Sequence, residues 1–287
     1  MADEALQDKY RRMQQILRSL ERVVVAFSAG VDSTFLLKAA VDTLGRENVL
    51  AVTGNSDSVA QAELQEARKL AELVGAEHVI VQTDEFDDPN YTANPANRCY
   101  YCKSSLYRHL QRLMTQRGFK AIVAGVNADD LGDWRPGIRA GEQYNVRAPV
   151  AEAGLTKQEI RILSRQMGLP TYDKPASPCL ASRIPYGEQV TPEKLRMIEQ
   201  AEAFLRQLGL RECRVRHHHG NLARIEIPAE QISEFMQPQL RMRIDEALRR
   251  IGYSFVAMDL RGFRSGALNE AIRISGQSGE QGDVRPA

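Results

Sequence analysis

Four cysteines, at positions 99, 102, 179 and 213, are the most intrinsically reactive side chains of this 287-residue chain. Cys99 and Cys102 form a Cys-x-x-Cys pair where a proline-bearing loop meets a helical pattern, a position at which helix N–H groups favour thiolates. Cys179 lies in a second loop, Pro178-Cys179-Leu180-Ala181-Ser182-Arg183. Three cysteines from two loops could ligate three irons of a [4Fe–4S] cluster and leave the fourth iron open. Zinc competes, but it needs a fourth ligand for which the sequence offers no clear candidate. Packed thiols at chance spacing are the plain alternative. Cys213, in the strand pattern Glu212-Cys213-Arg214-Val215, reads as a core thiol.

A second chemistry is phosphate binding. The apolar run Val23–Phe27 is followed by Ser28-Ala29-Gly30-Val31-Asp32-Ser33, which reads as a buried strand, a small-residue turn and a helix opening at Asp32 or Ser33. Such a turn leaves backbone N–H groups at a helix start, suited to an anion. No Gly-Lys-Ser/Thr follows, so it is not a Walker loop; a serine-capped helix is the bland reading. Gly125-Val126-Asn127-Ala128-Asp129-Asp130 follows a later apolar run. Asp129 or Asp130, with Asp32 nearer the turn, could hold a Mg²⁺ that bridges nucleotide phosphates, or could cap a helix. Trp134, in Asp133-Trp134-Arg135-Pro136-Gly137, reads as a lid or a packed aromatic. Arg214 and Arg216 share one face of a predicted hairpin, with Arg224 on the returning strand, and suit a phosphate or carboxylate. A solvated edge is the alternative there. His217, His218 and His219 alternate in direction along a strand and cannot all chelate one ion.

The elements that must position these residues follow from periodicity. Strands are expected near 22–27, 48–53, 77–82 and 120–125, separated by helices near 32–44, 59–74 and 100–117, which means βαβ units and a parallel sheet. An amphipathic helix over 1–20 carries Leu6, Tyr10, Met13, Leu17 and Leu20 at helical spacing. Loops are expected over 84–98, 126–148 and 169–190, and a helix over 156–167 opens on the capping box Thr156/Glu159. From Thr191-Pro192 a helix, a hairpin with strands 212–217 and 222–227, a helix at 240–251 and a strand at 253–260 predict a small α+β, ferredoxin-like domain. The expected division is therefore 1–186, 187–273 and a disordered tail over 274–287.

Composition excludes several classes. Hydrophobic residues make up 43% and charged residues 26%, with a formal net charge of +1 spread evenly along the chain. That balance disfavours a nucleic-acid partner. Apolar runs are only strand-length, so no membrane span is expected, and a reducing cytoplasmic location is expected.

Taken together, the segment 28–33 resembles the PP-loop of the ATP pyrophosphatase superfamily, with its adenine nucleotide alpha hydrolase-like fold. Over about residues 10–272 the chain resembles the LarE-type ATP-dependent sulfur transferases that act in making the nickel-pincer nucleotide cofactor of lactate racemase. The resemblance is carried by Ser28–Ser33, Gly125–Asp130, Gly132–Gly137, Cys179-Leu180-Ala181-Ser182-Arg183-Ile184-Pro185-Tyr186-Gly187 and Arg214-Val215-Arg216. It implies that ATP, bound at Ser28, Ala29, Gly30, Asp32, Ser33 and Gly125, adenylates a carboxylate of pyridinium-3,5-dicarboxylate mononucleotide. Sulfur then displaces AMP. Arg183, Arg214 and Arg216 are the expected holders of the substrate's phosphate or carboxylate. Some members give up the sulfur of the single cysteine equivalent to Cys179. The added Cys99 and Cys102 resemble members that carry a [4Fe–4S] cluster, fed by a sulfide or persulfide donor, and the family implies a homo-oligomer, with a hexamer as one form. Rival readings are a cluster-dependent tRNA thiolase, an amide-forming synthetase of the NAD or asparagine type, and a non-enzymatic ATP sensor or iron–sulfur carrier.

Overall fold

The unbroken apolar run Val23–Phe27 becomes the centre of a sheet buried on both faces. The structure, a computed structural model, describes residues 2–132 and 136–264. Trp134 and the tail expected over 274–287 lie outside them. Strand β1 (Val23–Ala26) is flanked by β2 (Val49–Asn55) and β4 (Ala121–Ala124), and β3 (Glu77–Gln82) pairs with β2. The order is β3-β2-β1-β4 and every pairing is parallel. Alternation along β1 assigns Val23 and Val25 to the core under α1 (Ala2–Leu20) and α2 (Val31–Leu44), and Val24 and Ala26 to the core on the other face. The stripe expected on α1 is seen: Leu6, Met13 and Leu17 are buried, with Tyr10 and Leu20 packed beside them.

Connections run outward from β1 to β2 through α2 and from β2 to β3 through α3 (Gln61–Val74), and then return across the sheet to β4. The return passes α4 (Pro89–Thr92) and α5 (Arg98–Gln116). The chain thus reverses direction between β1 and β4. In open parallel sheets the crevice outside the carboxyl ends of two such strands is where ligands bind. Beyond β4 come α6 (Pro136–Gln143), α7 (Pro149–Glu152) and α8 (Lys157–Gln166), the last opened by the expected Thr156/Glu159 capping box. Two stretches expected as loops contain helices, because their prolines occupy first-turn positions, where the missing N–H costs nothing. Asp88 caps α4 with Pro89 at its start, and Pro136 begins α6.

A second compact unit begins at Cys179, after Pro178, not after Tyr186. The earlier boundary has a physical basis: Arg183 pairs with Glu202, and Arg216 donates to the Ser182 carbonyl, so segment 179–183 is held by the second unit's own residues. This unit comprises α9 (Pro192–Gln207), β5 (Arg214–His218), β6 (Leu222–Glu226), α10 (Ile232–Phe235), α11 (Pro238–Ile251) and β7 (Phe255–Met258). Gly220 and Asn221, with φ of 72° and 54°, form the hairpin turn between β5 and β6. The unit mixes helices with a small sheet, an α+β composition that does not by itself confirm the ferredoxin-like form. Among the described residues, however, the sheet has three strands in the order β5-β6-β7, with β7 parallel to β6. No described helix is long and apolar enough to cross a membrane.

Candidate functional site

The turn after β1 is built by a small hydrogen-bonded knot. Helix α2 begins at Val31, earlier than the sequence pattern suggests, with Gly30 at its N-cap and no side chain accepting from its first-turn N–H groups. Ser33 turns back instead of capping: its Oγ lies 3.1 Å from Ser28 Oγ and donates to the Gly30 carbonyl. Gly30 sits at φ −79°, and a Cβ there would meet nothing nearer than Ser28 Oγ at 3.5 Å. Neither conformation nor packing within the chain demands a glycine at 30. The missing side chain leaves the backbone there open to close approach.

Gly125 is different. A Cβ on it would lie 2.8 Å from the carbonyl carbon of Asp32 and 2.8 Å from the nitrogen of Ser33. The end of β4 therefore rests directly on the first turn of α2, joining the acidic loop to the turn after β1. Gly125→Ala is expected to force these backbones apart, at a cost of about 1–3 kcal/mol in stability. Loss of ATP binding by titration calorimetry should accompany a lower denaturation midpoint.

The acidic residues are placed as follows. Asp32 Oδ2 pairs with Lys157 Nζ, while its buried Oδ1 has no partner. Asp129 Oδ2 accepts from the backbone N–H of Lys157 at 2.8 Å, so it caps α8. Asp130 is buried and accepts from the Asn127 N–H at 3.1 Å. Asp32 and Asp129 are thus gathered around Lys157, whose ammonium is a counter-charge at this point in the crevice. No group of three or more His, Cys, Asp or Glu side chains is arranged to hold a metal ion among the described residues.

None of the four cysteines is disulfide-bonded. Cys99, exposed, and Cys102, half-buried, lie one turn apart at the start of α5, whose N-cap Asn97 makes no side-chain capping bond. Helix α6 packs on this turn, with Gly137 close to Lys103 and the Cys99 carbonyl. Cys179 is half-buried, and its carbonyl accepts from Arg183 Nη1 at 2.9 Å. Cys213 is the expected core thiol. Burial, with Glu202 nearby, pushes it up to about 11. Cys213 should therefore stay unmodified by iodoacetamide in the folded protein at pH 8, read by peptide mass mapping, while Cys99 is alkylated.

In the second unit, Arg183, Arg214 and Arg216 are buried and do not lie on a solvated edge. Two of the three, Arg183 and Arg216, are paired bidentately with carboxylates of the same unit. Arg183 grips Glu202 through Nε and Nη2 at 2.8 and 3.0 Å. Arg216 grips Glu226 in the same way at 3.0 and 2.8 Å. Arg214 stacks on Phe263, and burial together with Arg183 lowers its pKa. Arg206, Arg224 and Arg264 pair with the same carboxylates or with Asp259, so guanidinium exceeds carboxylate throughout. The histidines part as expected: His217 is buried against Tyr253, His218 accepts from Arg224, and His219 is exposed.

Comparison with known proteins bears on this arrangement. The NAD synthase family matches residues 6–93, the part that contains β1 and the turn into α2. An uncharacterized protein of Synechocystis is 45% identical over 267 residues, 93% of this chain and 99% of its own. The pyridinium-3,5-bisthiocarboxylic acid mononucleotide synthase of Lactiplantibacillus plantarum is 37% identical over 256 residues, 89% of this chain and 92% of its own. The chain belongs to the LarE family. A further relative, an uncharacterized protein of Methanocaldococcus jannaschii, is 26% identical over 85% of the chain.

Several residues around the turn after β1 and in the second unit of this LarE-family chain escape sequence reading. Lys157 and Lys174 reach the turn from distant segments, and no local pattern distinguishes them from surface lysines. Glu202 was legible in principle: it stands on the apolar stripe of α9 with Leu195, Ile198 and Leu205, where a lone charge requires a buried partner.

Proposed function

We propose that the protein is an ATP-dependent sulfur transferase that converts the carboxylates of pyridinium-3,5-dicarboxylate mononucleotide to thiocarboxylates. The observation carrying this reading is the 37% identity to the Lactiplantibacillus synthase over 256 residues, which run through both compact units. The first-turn N–H groups of α2, with Ser28 and Ser33, would bind the β- and γ-phosphates and stabilise the charge of the departing pyrophosphate. A substrate carboxylate oxygen attacks the α-phosphorus, and the bond to the bridging oxygen breaks. Lys157 neutralises Asp32 in the free protein; the unpartnered Asp32 Oδ1 is the carboxylate oxygen that would take a Mg²⁺ brought by the nucleotide, which screens the phosphate charges when bound, while Asp129 and Asp130 are engaged by backbone N–H groups. Arg214, backed by Arg183 and Arg216, would hold the substrate's phosphate.

Sulfur at the sulfide level then adds to the acyl-adenylate carbon, the C–O bond to AMP breaks, and a thiocarboxylate remains without net redox change. Uncrosslinked thiols are the ligands that iron–sulfur clusters take, and Cys99 and Cys102 one turn apart suit such a group. The family resemblance would add Cys179 as a third ligand of a [4Fe–4S] cluster, a carrier for the transferred sulfur, although the described side chains form no metal-binding group of three.

The test supplies ATP, Mg²⁺, the dicarboxylate nucleotide and a sulfide source to anaerobically purified protein. Pyrophosphate and a thiocarboxylate product, identified by mass, are expected in equal amounts. Product that requires ammonia, or that appears only on tRNA, would replace this reading with an amide synthetase or a tRNA thiolase.

A further inference from the structure

The turn after β1 places its left-handed residue at an alanine, with the glycine beside it in an extended conformation. Ala29 has φ +58° and is fully buried, whereas Gly30 has φ −79°. A non-glycine residue persists in that region only when its surroundings hold it there. The holding contact is visible. Lys174 Nζ donates to the Ala29 carbonyl at 3.1 Å and pairs with Glu66 on α3 at 2.6 Å.

The lysine is itself fixed by a strap over residues 172–177. Arg161 on α8 donates to the carbonyls of Tyr172 and Lys174 at 2.8 and 3.0 Å, and Ser177 bonds Glu63, one turn from Glu66 on α3. The ammonium is thus presented to one carbonyl of the turn by a segment far along the chain. In a trans peptide the carbonyl and the following N–H point in opposite directions. Drawing the Ala29 carbonyl toward Lys174 therefore turns the Gly30 N–H away from it.

We propose that Lys174 is a positioning residue that fixes the Ala29–Gly30 peptide, so that the Gly30 N–H faces the bound phosphate and the carbonyl does not. This rests on the ATP-binding reading given above. Without the ammonium, Ala29 relaxes out of the left-handed region, the peptide rotates, and a carbonyl dipole opposes the anion.

The test is titration calorimetry of the full chain with Mg–ATP and, separately, with inorganic pyrophosphate. Lys174→Met is expected to weaken both by about ten-fold, the scale set by one strained residue. Lys174→Arg, which keeps a charged donor, should lose about three-fold or less on the same scale. The deciding variant is Lys174→Met/Ala29→Gly. Glycine occupies the left-handed region freely, so the double variant should bind within about three-fold of the parent. Equal affinity of Lys174→Met and the parent would overturn the proposal. So would failure of Ala29→Gly to restore binding, the result expected if Lys174 touched phosphate directly or acted through general stability, which melting temperatures record in parallel. If the parent protein bound neither ligand, the ATP reading itself would fail and carry this proposal with it.

Discussion

Glu202→Ala is expected to lower the unfolding free energy by about 3–5 kcal/mol, the range for removing one partner of a buried ion pair. Glu202 is fully buried and accepts four hydrogen bonds: two from Arg183, one from Arg206 and one from the Val215 N–H. Deleting the carboxylate strands the Arg183 guanidinium, 2% exposed, together with a backbone N–H on β5. Denaturant unfolding followed by far-UV circular dichroism measures the loss. Pairing Glu202→Leu with Arg183→Met should recover part of it, because removing both charges costs less than orphaning one. A loss below about 1 kcal/mol would place this pair with the weak, solvated ones.

The same pair sets an acid limit. Burial works to raise the Glu202 carboxyl, but Arg183, with Arg214 and Arg206, holds it below the ordinary value of 4.5. A depressed carboxyl stabilises the fold above its unfolded-state value and loses that contribution as pH falls through its folded value. The stability gap between the parent and Glu202→Gln should therefore be full at pH 7 and narrow below about pH 4.5, read from denaturation midpoints across pH.

Cys179→Ala is expected to abolish thiocarboxylate formation altogether, the largest effect on function. Pyrophosphate release should continue, because in the proposed reaction adenylation would rely on the turn before α2 and need no thiol. The Cys99→Ala/Cys102→Ala variant separates two routes. Catalytic transfer from a three-cysteine cluster predicts that iron, acid-labile sulfide, visible absorption and product disappear together. Product formed once per chain, with Cys179 ending as dehydroalanine by mass spectrometry, would instead assign the sulfur to Cys179 itself. Iron and acid-labile sulfide content of protein purified without oxygen reads the first outcome directly.

Much of this was legible because it is written in local patterns. Alternation and β-branched runs identified the four parallel strands to within two residues at each end. The strand-turn-helix at Val23–Ser33 was legible because an apolar strand, small residues and a helix start are adjacent in the chain. The capping box at Thr156 and the Thr191-Pro192 start were equally local. Prolines misled at α4 and α6, since the same residue that ends a helix also begins one, and only neighbouring caps distinguish the two.

Where the reading stopped short, the cause was sequence separation. Ser28–Ser33, Gly125, Asp129 and the three loop cysteines were nominated by their own neighbourhoods, so the sequence by itself determined the class of fold and the candidates for the chemistry. That Gly125 must be a glycine depends on the backbone of Asp32 and Ser33, which only the β1–β4 pairing brings against it. That Lys157 and Lys174 converge on the turn after β1, and that Arg183 and Arg216 spend their forks on Glu202 and Glu226, depends on contacts spanning from 10 to 145 positions. Charge partners of this kind leave no periodicity behind. Which carboxylate meets which guanidinium is decided by the packing of helices on sheets, and tertiary structure alone supplies it.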